Sequence, residues 1–177
     1  MKKLISILLV LLAATTLFAA NDASLGIDTS ITAVTGLKIS QAAAISNWST
    51  AGITKLASPL TKTAVTDLFV NLRTNKKTAF TINIDAPSLA NTDTSVTYKV
   101  VYVVTPAAAV SGVTVGSTIT SGASAVDKHL MTFAGNVGTG LRILSHGFSI
   151  DVDDTSYDNA VEGDYETTIV FDIVVGS

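Results

Sequence analysis

The chain has 177 residues, of which 47% are hydrophobic, 14% charged and 6% aromatic, with no cysteine and a net charge of −3. That length suits one domain. The missing cysteines exclude disulfide scaffolds, thiolate metal sites and cysteine nucleophiles, and a mildly acidic balance with scattered lysines lacks the basic stripe that nucleic acid needs.

Lys2 and Lys3 precede an apolar run from Leu4 to Leu12, broken only by Ser6, and small residues follow from Ala13 to Ala20. This is the layout of a secretory signal peptide over residues 1–20, with an apolar stretch shorter than a membrane span. Processing near Asn21 leaves nine basic side chains against fourteen acidic ones, a net charge of −5. No second long apolar stretch follows, so residues 21–177 are expected as one exported domain. It would be periplasmic or on the cell surface, with no stable membrane span after processing.

From there the sequence alternates with the period of a half-buried strand. Leu25, Ile27, Thr29, Ile31, Ala33, Thr35, Leu37 and Ile39 share one parity, against Gly26, Asp28, Ser30, Lys38 and Ser40 on the other. This reads as one long strand or two joined near Gly36. Gln41 to Leu60, with an alanine run, Trp48 and Pro59, suggests a short helix before a loop. Leu68, Val70 and Leu72, then Asn75-Lys76-Lys77, then Phe80, Ile82 and Ile84 predict a hairpin with a polar tip.

Val96, Tyr98, Val100, Tyr102 and Val104 line one face of the next strand. Val101 and Val103 make its far half apolar on both faces, as in a central covered strand, and Pro106 stops it. Ala107 to Gly147 holds seven of the twelve glycines and reads as short strands joined by loops. Leu141 to Leu144 and then Phe148, Ile150 and Val152 suggest two more short strands. The last strand sets Tyr165, Thr167, Ile169, Phe171, Ile173 and Val175 against Glu166, Thr168 and Asp172. About seven to nine strands with little helix predict an all-β, antiparallel β-sandwich.

The closing segment, Gly163-Asp164-Tyr165 followed by the alternating run to Val175, resembles that of secreted bacterial immunoglobulin-like subunits, the spore-coat-U-like and fimbrial (pilin-like) families. The stretch Leu68 to Ile84 is similar to their strand–Asn-turn–aromatic–strand unit. The resemblance implies an immunoglobulin-like fold and a surface subunit that polymerises or coats, without catalysis. In the chaperone–usher branch it further implies a periplasmic chaperone and a groove completed by a neighbour's N-terminal strand. Many pilins of that branch carry a disulfide, which this chain lacks. The residues themselves offer a parallel. Residues 21–39 follow the processing point directly, and their alternation fits an exchange strand inserted into a neighbouring chain through Leu25, Ile27, Ile31, Leu37 and Ile39. It fits equally the domain's own first strand. Lys38, Lys76 and Lys99 are candidate edge charges.

Candidate chemistry is sparse. The acidic run Asp151, Asp153, Asp154, Asp158, Glu162 and Asp164 places hard oxygen ligands near calcium-loop spacing. Ser156 stands where the sharp turn needs glycine and no flanking helices are predicted, so an EF-hand is rejected. A looser Ca²⁺ site from Asp151, Asp153, Asp158 and Glu162 is weighed against a solvated acidic turn. His129 and His146 lack an i, i+4 partner. No G-x-S-x-G elbow exists, and Gly135 to Gly140 has the wrong glycine order for a dinucleotide loop. Parity puts Tyr98, Tyr102 and Tyr165 in the core, leaving Trp48 and Tyr157 as exposed rings for sugar stacking. The expectation is a secreted, non-enzymatic assembly subunit that pairs through edge strands with copies of itself or other surface subunits and needs no cofactor. The rival is a monomeric extracellular or periplasmic binding module, an adhesin taking carbohydrate or Ca²⁺.

Overall fold

Twelve strand segments and a one-turn helix, joined by loops, lie within residues 34–135, 138 and 140–176, the part of the chain that the computed structural model describes. Residues 1–20 and the alternating positions Leu25, Ile27 and Ile31 lie outside it. Seven strands have five residues or more: β1 (Thr35–Gln41), β2 (Val65–Thr74), β3 (Phe80–Asp85), β6 (Tyr102–Pro106), β9 (Lys128–Phe133), β10 (Arg142–Val152) and β12 (Val170–Val175). The short ones are β4 (Leu89–Asn91), β5 (Lys99–Val100), β7 (Val113–Val115), β8 (Ile119–Thr120) and β11 (Tyr165–Glu166), and α1 spans Asp154–Asp158.

All pairings are antiparallel. One sheet has the order β1-β2-β10-β6-β8, a second β12-β3-β9-β7, and a small third β11-β4-β5. The two large sheets share one core, an arrangement consistent with a β-sandwich. Leu68, Val70 and Leu72 of β2, with Tyr102 and Val104 of β6, pack in one buried cluster with Phe80, Ile82 and Ile84 of β3 and Met131 and Phe133 of β9. Each fully buried apolar side chain contributes about 1.5–3 kcal/mol. The rings of Phe148 on β10 and Phe171 on β12 meet at 5.7 Å with a 57° tilt, within the favoured range for aromatic pairs.

Several sequence expectations need correction. The predicted hairpin from Leu68 to Ile84 is a crossing between sheets: β2 pairs with β1 and β10, whereas β3 pairs with β9 and β12. Alternation is satisfied either way, because both strands turn the same parity toward one shared core. Gln41 to Leu60 forms no helix but a loop, in which the Ile45 and Ile53 amides bond outward to β2 and β1 and the Thr50 N–H donates to the Asn47 carbonyl in a local turn. The two short strands after Leu141 are one eleven-residue strand, β10, with an irregularity between Phe148 and Ile150. The closing strand breaks into β11 and β12, which join different sheets while keeping a single parity.

The strand expected from Val96 also divides. Val101 separates β5 from β6, its N–H donating to Ser156 Oγ at 2.8 Å and its carbonyl accepting from the Asp153 N–H at 3.0 Å. β6 does run inside its sheet, between β10 and β8, and ends at Pro106. Val101 and Val103 are only half-buried, so the second face is partly covered rather than enclosed.

Candidate functional site

The acidic run does not gather around one point. Asp151 lies exposed on β10 opposite Val103. Asp153 caps α1, its carboxylate accepting the Ser156 N–H at 2.7 Å, the usual role of an aspartate at that position. Asp158 pairs with Lys62, and this bond holds the lysine's pKa above its ordinary value. Glu162 is exposed. Among the described residues no group of three or more His, Asp or Glu side chains is placed to hold a metal ion. α1 has a packing role instead: Ser156 is buried, and its carbonyl accepts from the Tyr98 hydroxyl at 3.1 Å.

The two histidines sit in different sheets. His129 is exposed on β9, with Nε2 2.9 Å from Thr132 Oγ1. His146 is buried on β10, with Nε2 3.2 Å from the Ala107 carbonyl. The Trp48 ring has Lys38 Nζ at 4.9 Å and the Arg73 guanidinium at 5.8 Å, cation–π distances that leave it flanked by charge. Tyr157 is exposed, with Lys62 Nζ 5.9 Å from its ring. Tyr98 and Tyr165 are half-buried and Tyr102 is fully buried, as parity required. Among the described residues the Tyr102 hydroxyl has no hydrogen-bond partner, and burial pushes its pKa up.

The feature with most bearing on function is the outer strand of each sheet. In β12 the Gly176 N–H donates to the Ala79 carbonyl at 2.9 Å, one step beyond the Val175–Phe80 pair. Hydrogen-bonded pairs alternate along an antiparallel ladder, so Val174, Asp172 and Val170 exchange bonds with β3. The N–H and C=O groups of Phe171, Ile173 and Val175 therefore point the other way, and no strand among the described residues pairs with them. Val170, Val174 and Val175 are 45%, 50% and 43% exposed. β12 has no lysine, no proline and no bulge, the usual devices that blunt an edge. Asp172 is its single charge.

β1 is closed by contrast. The Ala42 N–H donates to the Asp67 carbonyl, so its even residues bond to β2 and its odd residues face outward. There the Ile39 carbonyl accepts the Ile53 N–H at 2.8 Å, and Gln41 Oε1 accepts the Ala57 N–H at 3.1 Å. Lys38 Nζ donates to the Trp48 and Thr50 carbonyls, both at 2.8 Å. Beneath this loop lies Asn71, fully buried on the outer side of β2. Its Oδ1 accepts from the Ile45 N–H at 2.8 Å and the Ser145 hydroxyl at 2.7 Å, and its Nδ2 donates to Ser40 Oγ at 2.9 Å. Leu37 and Ile39, two of the candidate exchange positions, face Leu72 and Val70 from within β1. At the opposite margins β7 and β8 have three and two residues, too short to template a partner.

The alternation of Asp67, Asn71 and Arg73 with Leu68, Val70 and Leu72 puts Asn71 on the polar face of β2 and gives no sign of the loop above it. The open ladder of β12 was legible as a strand but not as an outermost one. No helix among the described residues is long and apolar enough to cross a membrane. No family model matches the chain, and neither a curated protein nor a solved structure matches it.

Proposed function

We propose that the chain is a secreted, non-enzymatic structural or cell-surface assembly subunit, coat- or fimbria-like, that associates by pairing an edge strand with another subunit. Residues 1–20 serve as its signal peptide, and the exported part takes an immunoglobulin-like β-sandwich. The observation carrying this reading is the edge of β12, a six-residue strand whose outward ladder groups meet no strand among the described residues and whose outer face presents the exposed Val170 and Val174. Backbone hydrogen bonds supply affinity in such pairing, and alternate side chains supply selectivity. Partners are copies of the chain or other surface subunits, with a periplasmic chaperone as the natural cover for the edge before assembly. No cofactor is required.

Sedimentation velocity and negative-stain electron microscopy over a wide concentration range test the reading, with the Val174→Lys variant alongside. Wild-type protein is expected to associate, and the lysine at the edge to weaken association about tenfold or more while the fold is kept. A wild-type chain that stays a monodisperse monomer at every concentration up to millimolar overturns the proposal.

A further inference from the structure

We propose that the cleft between β8 and β9 is a binding site for a small hydroxylated anion of the uronic-acid type. The inference is independent of whether β12 assembles. The cleft has a volume of about 620 Å³, inside the range of small-molecule sites. It opens where the chain passes from one large sheet to the other, β7 ending the second sheet and β8 the first.

The lining has a chemical bias. Ser117, Thr118, Thr120 and Ser124 supply hydroxyls, Lys128 supplies a cation, His129 borders the site, and no carboxylate belongs to the lining. The four hydroxyl side chains and Lys128 are all exposed, and among the described residues neither the four hydroxyls nor Lys128 Nζ has a hydrogen-bond or ion-pair partner. Lys128 is the one formal charge of the lining, while the carboxylate of its neighbour Asp127 accepts from Asn83 Nδ2 on the outer face of β3, so an anion entering the cleft meets a cation there. Lysine is a compact, rotatable point charge and suits a carboxylate approaching in more than one orientation. The hydroxyls are both donors and acceptors, which suits a ring bearing several hydroxyls of its own.

A break in the strand pairing aims Lys128 at this place. Ile82 faces Met131 and Asn83 faces His129, so Leu130 is an extra residue in β9. Both Leu130 and Met131 are buried as a result. Beyond this bulge the facing is reversed: His129 shares the outer face with Asn83, and Lys128 takes the core-side parity of Ile84. Bulges commonly re-aim a side chain in this way. Lys128 is nonetheless exposed, and it lines the cleft together with the buried Ile119 and Ala125. Gly116 keeps the wall close: its N–H donates to the Leu130 carbonyl at 2.8 Å, and a side chain there would overlap the His129 carbonyl.

The test is an amide NMR titration of the purified protein with glucuronate, glucose and inorganic phosphate. Glucuronate is expected to give saturable shifts confined to residues 115–129 in the millimolar range. Glucose, which lacks the charge, and phosphate, which lacks the ring hydroxyls, are each expected to bind about tenfold more weakly or worse. Lys128→Met should weaken glucuronate by about tenfold with the remaining spectrum unchanged. Thr118→Val, a second exposed position, should weaken it by a smaller factor. Absence of saturable shifts with glucuronate overturns the proposal. So does equal binding of glucose or phosphate, or a Lys128→Met variant that binds as well as wild type.

Discussion

β1 and β12 are outermost strands of similar length, one in each large sheet, and each turns the amides of its odd residues outward. On β1 the Ile39 carbonyl meets the Ile53 N–H of a loop, and the side chains of Gln41 and Lys38 bond to that same loop over the edge. On β12 nothing among the described residues meets the outward groups. The difference teaches that this chain guards an edge by covering it, with the cover fixed to the sheet from outside. Lys38 takes part in the closure through its bonds to loop carbonyls, beyond the repulsive role an edge charge usually has. Lys99 lies on β5, the outer strand of the small sheet. No such device occurs on β12, and that gives its exposed valines meaning.

The contrast can be broken most severely at Asn71. Asn71→Ala removes the acceptor of the buried Ile45 N–H and of the Ser145 hydroxyl, and should cost about 3 kcal/mol in chemical denaturation, since a buried donor left without a partner is expensive. The loop should then protect the β1 amides less against hydrogen exchange. Gly52→Val is the narrower test. A Cβ at position 52 would stand 2.9 Å from the Ile39 carbonyl and 3.2 Å from Lys38 Cβ, so the loop must lift from the edge. The expected loss is about 1–2 kcal/mol, accompanied by stronger self-association, because β1 would then resemble β12. If stability falls without any gain in association, the cover is structural and does not guard the edge.

On the other side, Val170→Lys with Val174→Lys alters two exposed positions of β12. Thermal and chemical stability should change by less than about 0.5 kcal/mol, so any loss of association reads the edge alone. The smallest effect is expected at Asp93, which touches neither edge and serves as a control. The Ser95 N–H donates to its carboxylate at 2.9 Å and holds its pKa below the ordinary value. A folded-state pKa that is depressed gives stability present above the unfolded carboxylate range and lost as pH falls through the folded value. Asp93→Ala should therefore slightly flatten the acid limb of a plot of Tm against pH and leave association unchanged.

The sequence was most readable wherever one face of a strand meets the core. The parities of Leu68–Leu72, Phe80–Ile84, Tyr102–Val104 and Tyr165–Ile173 are those of the fold. Alternation reports a face, however, and is silent on which sheet the face belongs to. That is why β2 and β3 look like a hairpin although they stand in opposite sheets. It is equally silent on what covers the other face, so Asn71 reads as solvated although it is fully buried. The one-turn helix carried a usable signal, Asp153 placed three residues before Ser156 as a cap, masked by the density of acids around it. The bulge in β9 had one as well, in the adjacent apolar residues Leu130 and Met131. Neither pattern is strong without knowing the partner strand.

The crossing of β2 into one sheet and β3 into the other also bears on how the chain folds. Neither strand finds its later neighbours nearby: Thr74 waits for Arg142, and Asp85 waits for Val170. Closure of such distant pairs is entropically slow, placing folding in the millisecond-to-second range typical of non-local β topologies. During synthesis the first half of the domain stands with incomplete sheets until its last few dozen residues emerge. Its conformation is decided late and nearly all at once, when β10 and then β12 arrive.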